Sequence, residues 1–246
     1  MQALEKSKSP IIYTENVGRV FKSGHEKIHA LSDVSVAIHP GEITLLVGRS
    51  GSGKTTLLNI LSSMDRPDAG KVFFEQEEIT ALSDTQKDLL RRKKMGFVFQ
   101  SVALISLMSA YENIDFSLRI AGYDPKKRDA RIKECLKTVG LINREKHRPA
   151  ELSGGEQQRV AIARAIAHSP KVLFADEPTA ELDTHLGLQV VKTFRQMVVE
   201  HDVSIVMSSH DANMMALADH IYMLEDGRIK EEVRNQIADG GQDDTV

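Results

Sequence analysis

The sequence has very few of the residues that mark secreted or membrane-spanning proteins. Its 246 residues include one cysteine, Cys135, and no tryptophan. A single cysteine excludes an internal disulfide and is typical of a reducing compartment. No apolar run approaches the roughly 18 residues of a membrane-spanning helix, and residues 1–10 lack the apolar core of a signal peptide. We therefore expect any role at a membrane to depend on a partner.

An excess of positive charge is also missing. The net charge is −3, and 27% of the residues are charged. Non-specific nucleic-acid binding needs a basic surface, so no nucleic-acid partner is expected. The length allows one large α/β domain or two small ones.

Residues 48–55 fit the phosphate-binding pattern G-x-x-x-x-G-K-[ST]. Lys54 supplies a positive charge for the β- and γ-phosphates, and the Thr55 hydroxyl is suited to Mg²⁺. A buried strand is predicted over residues 43–47 and a helix over residues 55–61, so a helix N-terminus faces the phosphates. A glycine-rich turn without a ligand is the alternative, but this context favours a nucleotide. Candidate phosphate contacts are Gly48, Ser50, Gly51, Ser52, Gly53, Lys54 and Thr55.

A second candidate anion site is the sequence Leu-Ser-Gly-Gly-Glu at residues 152–156. Ser153 is a favourable N-cap, and Gly154 and Gly155 expose backbone N–H groups at the start of an alanine-rich helix. Two such helix ends indicate either two phosphate contacts on one ligand or one contact each to ligands shared between two chains.

Two acids, Asp176 and Glu177, end a predicted buried strand. Burying two carboxylates is costly unless a cation lies nearby. We interpret Asp176 and Thr55 as candidate Mg²⁺ ligands. Glu177 points away from Asp176 if the strand alternates, and it could polarise a water for attack on the γ-phosphate. The alternative is that both acids cap the following turn.

Three further side chains are candidates of different kinds. His210 follows the predicted strand 204–208, beside the strands of Lys54 and Asp176 if the sheet is parallel, and this position favours a functional histidine over a structural one. Gln100 ends a predicted strand, where it could reach a metal-bound water or only cap a loop. Phe21 precedes a glycine turn, where its ring could stack on adenine or pack normally.

The remaining chain alternates strands and helices. Residues 83–140 are expected to be mostly helical, with Ser83 opening one helix and Pro125 another that runs to Gly140. Strands are predicted at residues 11–14, 34–38, 71–74 and 96–100, and a helix at about 184–201.

Taken together in this order and spacing, these motifs resemble the ATP-binding subunit of an ABC transporter. The similarity spans residues 11–233, and the sequence at 152–156 is its most specific part. The resemblance implies an α/β P-loop NTPase fold with a RecA-like core of mainly parallel sheet, an antiparallel β subdomain, and a helical subdomain inserted at about 84–165. Residues 1–10 and 234–246 are expected to be flexible.

The resemblance also implies roles by position. It implies a head-to-tail dimer that holds two ATP molecules, with Mg²⁺, between its subunits. By resemblance, Phe21 would stack on adenine, and residues Ser50 to Thr56 would form the cradle for the triphosphate. Gln100 would sense Mg²⁺, the attacking water and the membrane partner, and Ser153, Gly154 and Gly155 of the 152–156 motif would contact the γ-phosphate of ATP held by a second subunit. Glu177 would be the catalytic base, His210 would hold the γ-phosphate, and Asp183 would be a further residue of the nucleotide site.

A narrower match lies in residues 50–70, which resemble the subclass of macrolide export, lipoprotein release, antimicrobial-peptide resistance and FtsX-like cell-division permeases. This implies a homodimer at the cytoplasmic face of the bacterial inner membrane that drives an FtsX-like integral-membrane permease. Its cargo would be a lipoprotein, peptide or antibiotic. Residues 207–210, Met-Ser-Ser-His, depart from the family's usual Val-Thr-His, and residues 101–108 lack the aromatic and proline expected where a permease binds. The alternative function is a soluble ABC-type ATPase acting as an assembly or cell-division factor without transport.

Overall fold

The computed structural model describes residues 9–24, 26–180, 182, 184–210 and 212–235. The strands are β1 (Ile12–Ser23), β2 (Glu26–Val34), β3 (Ala37–Ile38), β4 (Ile43–Val47), β5 (Ala69–Phe74), β6 (Glu77–Glu78), β7 (Met95–Val98), β8 (Val172–Ala175), β9 (Ser204–Ser209), β10 (His220–Glu225) and β11 (Arg228–Arg234). The helices are α1 (Lys54–Leu61), α2 (Asp84–Lys94), α3 (Ala110–Ile120), α4 (Pro125–Thr138), α5 (Gly154–Ile166) and α6 (Thr184–His201).

A six-stranded sheet forms the centre of the fold, with the strand order β11-β10-β4-β9-β8-β7. The strands β10, β4, β9, β8 and β7 run parallel, and β11 is antiparallel to β10. Because parallel strands end at the same edge, β4, β8 and β9 deliver Lys54, Asp176 and His210 to one place. The predicted position of His210 beside the strands of Lys54 and Asp176 is confirmed.

Both faces of the parallel part of this sheet are covered, which explains why its strands β4 and β8 are nearly continuous apolar runs. Ile43 and Leu45 pack into one core cluster with residues of α3, α4, α5 and α6. Leu46 lies on the other face, in a cluster with α1 and the strands β1, β2 and β5. The fold therefore has three layers, and the central one carries the candidate site.

The second sheet is antiparallel and has the order β2-β1-β5-β6, with β3 paired to β1. The prediction of one continuous strand over residues 34–38 is wrong, because β2 ends at Val34 and β3 begins at Ala37. The Thr14 side chain interrupts it: its hydroxyl donates to the Val34 carbonyl at 3.1 Å and accepts from the Val36 N–H at 2.9 Å. The first strand is also longer than predicted, because β1 runs to Ser23.

The helical region follows its sequence signals closely. Ser83 caps α2 and Pro125 begins α4, as expected; Asp124 caps α4, which ends at Thr138 before the predicted Gly140. Helices α3, α4 and α5 pack on one another, whereas β7, between α2 and α3, pairs with β8 in the central sheet. The domain boundaries at residues 11, 84, 165 and 233 stay predictions. Within the described residues, none of the helices has the length and apolar character to cross a membrane.

Candidate nucleotide-binding and hydrolysis site

The loop between β4 and α1 has the backbone shape that its glycines predict. Gly53 lies in the left-handed region at φ 104°, immediately before α1. A Cβ at Gly53 would lie 2.6 Å from the Ala30 carbonyl oxygen, so only glycine fits there. In the same loop, the hydroxyl oxygen of Ser52 is buried and has no hydrogen-bond partner in the described part of the chain. Buried polar groups normally have partners, so the loop fits an anionic ligand that would supply one.

Lys54 is only 5% exposed and lies over this loop. Its Nζ donates to the Gly48 carbonyl at 2.8 Å and to the Arg49 carbonyl at 3.1 Å. The same ammonium is 3.8 Å from Glu177 Oε1. A buried cation at a helix N-terminus adds to the positive potential of the backbone N–H groups. The loop is therefore built for a polyphosphate.

Asp176 connects the loop to the central sheet. The Thr55 hydroxyl donates to Asp176 Oδ1 at 3.1 Å, and the Ser208 hydroxyl donates to the same oxygen at 2.6 Å. The hydroxyl of Thr55 and the carboxylate of Asp176 are the hard oxygen donors that Mg²⁺ prefers. The described residues contain no group of three or more His, Cys, Asp or Glu side chains able to hold a metal. The donor set therefore fits a cation bound by few protein ligands and by phosphate oxygens.

Glu177 lies next to two other candidate residues. Its Oε2 is 3.2 Å from Nδ1 of His210, and its Oε1 faces Lys54. Its backbone is left-handed, with φ at 43°. Asp176 and Glu177 both lie beyond the end of β8 at Ala175, so strand alternation does not set the direction of Glu177, contrary to the expectation from the sequence. The structure brings Lys54, Glu177 and His210 together at the carboxyl edge of the sheet.

Gln100 and Phe21 lie further out. Gln100 is exposed, two residues beyond Val98, whose carbonyl accepts from the Asp176 N–H at 3.0 Å. Phe21 is 41% exposed on β1, and the guanidinium carbon of Arg19 lies 4.7 Å from its ring centroid. One face of this ring is therefore covered by a cation. Adenine stacking by Phe21 stays a prediction.

Ser153 caps α5 as the sequence predicts. The Ser153 side chain accepts from the Glu156 N–H at 3.3 Å, and Glu156 Oε2 accepts from the Ser153 N–H at 2.8 Å. This N–H and the Ser153 hydroxyl lower the pKa of Glu156, despite some opposing burial. Ser153 and Gly154 are exposed, and nothing lies within 4 Å of the position of a Cβ on Gly154, whereas Gly155 is buried, contrary to the expectation that both glycines are exposed. The end of the helix is thus open to a ligand. Asp183 lies outside the described residues.

Sequence reasoning missed two residues that organise this site. Ser208 is fully buried and contacts both acids. Arg19 lies over Phe21 and is itself held by Asp65 at 2.9 Å and Asp68 at 3.1 Å. Ser208 is one of three buried serines among the six residues of β9, so its position in the strand did not single it out in the sequence. No sequence signal pointed to Arg19, because its partners are more than 40 positions away.

Comparison with known proteins defines the class of this fold and site. The family model described as ABC transporter matches residues 31–180, which contain Lys54, Ser153, Asp176 and Glu177. The chain belongs to this family. It is the ATP-binding, ATP-hydrolysing subunit of an ABC transporter, as the resemblance implied.

Individual relatives are similar in sequence to most of this chain. An uncharacterised ABC transporter ATP-binding protein of Thermotoga maritima is 43% identical over 87% of this chain and 92% of its own. The lipoprotein-releasing system ATP-binding protein LolD of Rhodopseudomonas palustris is 40% identical over 90% of this chain and 96% of its own. The macrolide export ATP-binding/permease protein MacB of Mannheimia succiniciproducens is 39% identical over 91% of this chain, which spans 35% of that longer protein.

A solved structure confirms the fold class. The cassette MJ0796 of Methanocaldococcus jannaschii, solved as a dimer in a post-hydrolysis state with ADP and Pi, superposes with a TM-score of 0.84. It is 37% identical, and the match covers 91% of this chain and 98% of that one.

Proposed function

We propose that two copies of this chain form a head-to-tail homodimer that binds two MgATP between them and drives an FtsX-like permease. The two helix N-termini, one behind the loop of Lys54 and one at the exposed Ser153, support this arrangement. Each ATP would contact the Lys54 loop of one subunit and the Ser153 helix of the other. The dimeric state of the MJ0796 cassette with ADP and Pi adds support.

The contact of Glu177 with both Lys54 and His210 is the observation that carries the proposed chemistry. Glu177 takes the proton of the attacking water as general base. Lys54 and the loop N–H groups neutralise charge on the β- and γ-phosphates, and His210 holds the γ-phosphate. Thr55 and Asp176 would hold Mg²⁺, with Gln100 near it; when bound, the ion supplies positive charge to the phosphates.

Replacing Glu177 by glutamine tests this assignment. Glu177→Gln keeps the size and polarity of the side chain but cannot accept the proton. We expect ATP binding and ATP-dependent dimerisation by size-exclusion chromatography, with turnover at least about 10²-fold slower. The control Glu134→Gln changes an exposed acid on α4 and should leave turnover unchanged. Normal turnover by Glu177→Gln would remove Glu177 from the role of base.

A surface groove supports the permease partner. The groove has a volume of about 360 Å³ and lies between α2, β7, α3 and α5. Its lining includes Met64, Phe99 and Ile120, which are 41%, 36% and 47% exposed. Arg164, also in the lining, donates to the carbonyls of Val102 and Ala103, in the loop that follows Gln100. An amphipathic helix of a membrane subunit fits this combination, since its apolar face would cover the exposed side chains.

Co-purification tests the partner. The tagged full chain, expressed in its source organism and extracted with detergent, should capture one integral-membrane protein with an FtsX-like permease sequence. Ile120→Glu places a charge in the groove and should abolish capture. The matched control Val199→Glu changes a 76% exposed residue of α6 that does not line the groove and should keep it. Capture of soluble proteins alone would favour an assembly factor without transport.

The cargo and the cellular place follow from the same proposal. The relatives are named for lipoprotein release and for macrolide export, so we propose a lipoprotein, peptide or antibiotic as the cargo. The chain would lie peripherally at the cytoplasmic face of the bacterial inner membrane, bound through its permease. Membrane fractions should retain it at physiological salt and release it in alkaline carbonate; resistance to carbonate would contradict peripheral attachment.

A further inference from the structure

Ser208 lies within hydrogen-bond distance of both acidic residues of the site. It is 0% exposed on β9, with Leu46 of β4 as its partner in the parallel register. Its hydroxyl donates to Asp176 Oδ1 at 2.6 Å, and its oxygen accepts the Glu177 backbone N–H at 2.9 Å. A single hydroxyl group therefore joins two consecutive acids.

The direction of these two hydrogen bonds determines what Ser208 can do. A serine hydroxyl has one proton, and here it is donated in a hydrogen bond to Asp176. The N–H of Glu177 occupies a lone pair of the same oxygen, which fixes the hydroxyl rotor. The bond to a carboxylate is charge-assisted and is stronger than one between neutral groups. Ser208 thus holds the carboxylate of Asp176 in one rotamer and the backbone of Glu177 in place.

The backbone of Glu177 needs such support. Its φ of 43° is uncommon for a residue with a side chain. The left-handed conformation turns the carboxylate of Glu177 toward Lys54 and His210 instead of along the strand. An anchored N–H keeps the carbon chain of Glu177 at this angle.

We infer that Ser208 is a positioning residue for ATP hydrolysis, which orients the metal-binding carboxylate of Asp176 and the basic carboxylate of Glu177 through one hydroxyl group. This inference rests on the roles proposed above for the two acids. Ser208 touches neither the nucleotide nor the water in this account. Its effect passes through the residues that do.

Ser208→Ala tests the inference, with Ser204→Ala as the matched control. Ser204 is a buried serine of the same strand, 1% exposed, and its hydroxyl accepts the Gly41 N–H at 3.1 Å. It lies four residues, or about 13 Å, from Ser208 along β9. Both variants lose a buried hydroxyl and leave a backbone N–H without its acceptor, so both should lower the melting temperature.

Only the Ser208 variant should change the chemistry. We expect kcat of Ser208→Ala to fall about tenfold, which is the effect of losing one charge-assisted hydrogen bond. The affinity for Mn²⁺, titrated in the presence of ADP by electron paramagnetic resonance, should also fall severalfold, and this measurement does not depend on turnover. The KM for ATP should stay within about twofold, because the Lys54 loop is intact. Ser204→Ala should match the wild type in all three, and Ser208→Thr, which keeps the hydroxyl, should recover kcat.

Several outcomes would overturn the inference. Wild-type kcat and Mn²⁺ affinity in Ser208→Ala would do so, as would equal losses in Ser204→Ala. If Ser208→Ala does not fold, Ser208→Cys fills the same space with a weak donor and should show the same two losses. Glu177→Gln, assayed in parallel, separates this failure from failure of the proposed function. A slow Glu177→Gln beside a normal Ser208→Ala would reject only the role of Ser208.

Discussion

Replacing Gly227 by alanine should destabilise the protein by about 2–4 kcal/mol, because a Cβ would strain the backbone of this residue and clash with its neighbours. Gly227 also contacts the phosphate-binding loop. Gly227 lies at the turn between β10 and β11 with φ at 71°. Its N–H donates to the Ser52 carbonyl at 3.1 Å, and its carbonyl accepts the Ser32 N–H at 2.8 Å. The turn therefore links the phosphate-binding loop to the antiparallel sheet.

The expected loss of stability has two parts, and a comparison with Gly140→Ala separates them. Alanine in the left-handed region costs about 1 kcal/mol. A Cβ on Gly227 would also lie 2.7 Å from the Ala30 carbonyl oxygen and 3.2 Å from the Leu31 Cα. These are backbone atoms that cannot rotate away, which adds about 1–3 kcal/mol. Gly140, after α4, has a φ of 70° and nothing within 4 Å of its Cβ position, so Gly140→Ala should cost only the first part.

Urea unfolding followed by far-ultraviolet circular dichroism measures the difference, since the chain has no tryptophan. The two variants should differ by more than about 1 kcal/mol at equal m values. The Gly227→Ala variant should also bind ATP more weakly, because the displaced turn moves Ser52. Equal stabilities for the two variants would show that the turn adapts to a Cβ, and would refute the reasoning.

Two further predictions follow from buried ionisable groups. Lys54→Ala should weaken ATP binding at least about tenfold by calorimetric titration, because it removes the buried cation of the loop. Unchanged affinity would contradict the assignment of residues 48–55 as the triphosphate-binding loop. His220 is fully buried, and burial lowers its pKa from the ordinary 6.5, although a hydrogen bond with Glu232 partly opposes this. The unfolded state therefore binds more protons below about pH 6.5. The contribution of His220 to the free energy of unfolding is therefore present above about pH 6.5 and is lost as the pH falls below this value. The loss between pH 7.5 and 5.5 should be smaller in His220→Gln, and an equal loss would exclude His220 as its source.

The parts of the fold predicted from the sequence are those determined by neighbours along the chain. The strand at residues 43–47 was predicted to the residue, because an apolar run ends directly at the glycine loop. The helix over residues 184–201 also has the predicted bounds. Ser83 and Ser153 were recognisable as helix starts because a capping side chain contacts backbone only three positions away.

The parts that escaped prediction depend on partners far along the chain. Thr14 divides the expected strand through bonds to residues 20 and 22 positions away. Glu177 and Ser208 are 31 positions apart, so the left-handed turn at Glu177 has no local signature. The candidate site was predictable as a set of residues, since each motif is short. The bonds that orient these residues form only when β8 and β9 pair.

The most direct test of the account is a structure of Glu177→Gln with ATP bound. We expect a closed pair in which Ser153 Oγ of one subunit lies about 2.5–3.0 Å from a γ-phosphate oxygen of the ATP on the Lys54 loop of the other. A closed pair with Ser153 and Gly154 far from any nucleotide would contradict it.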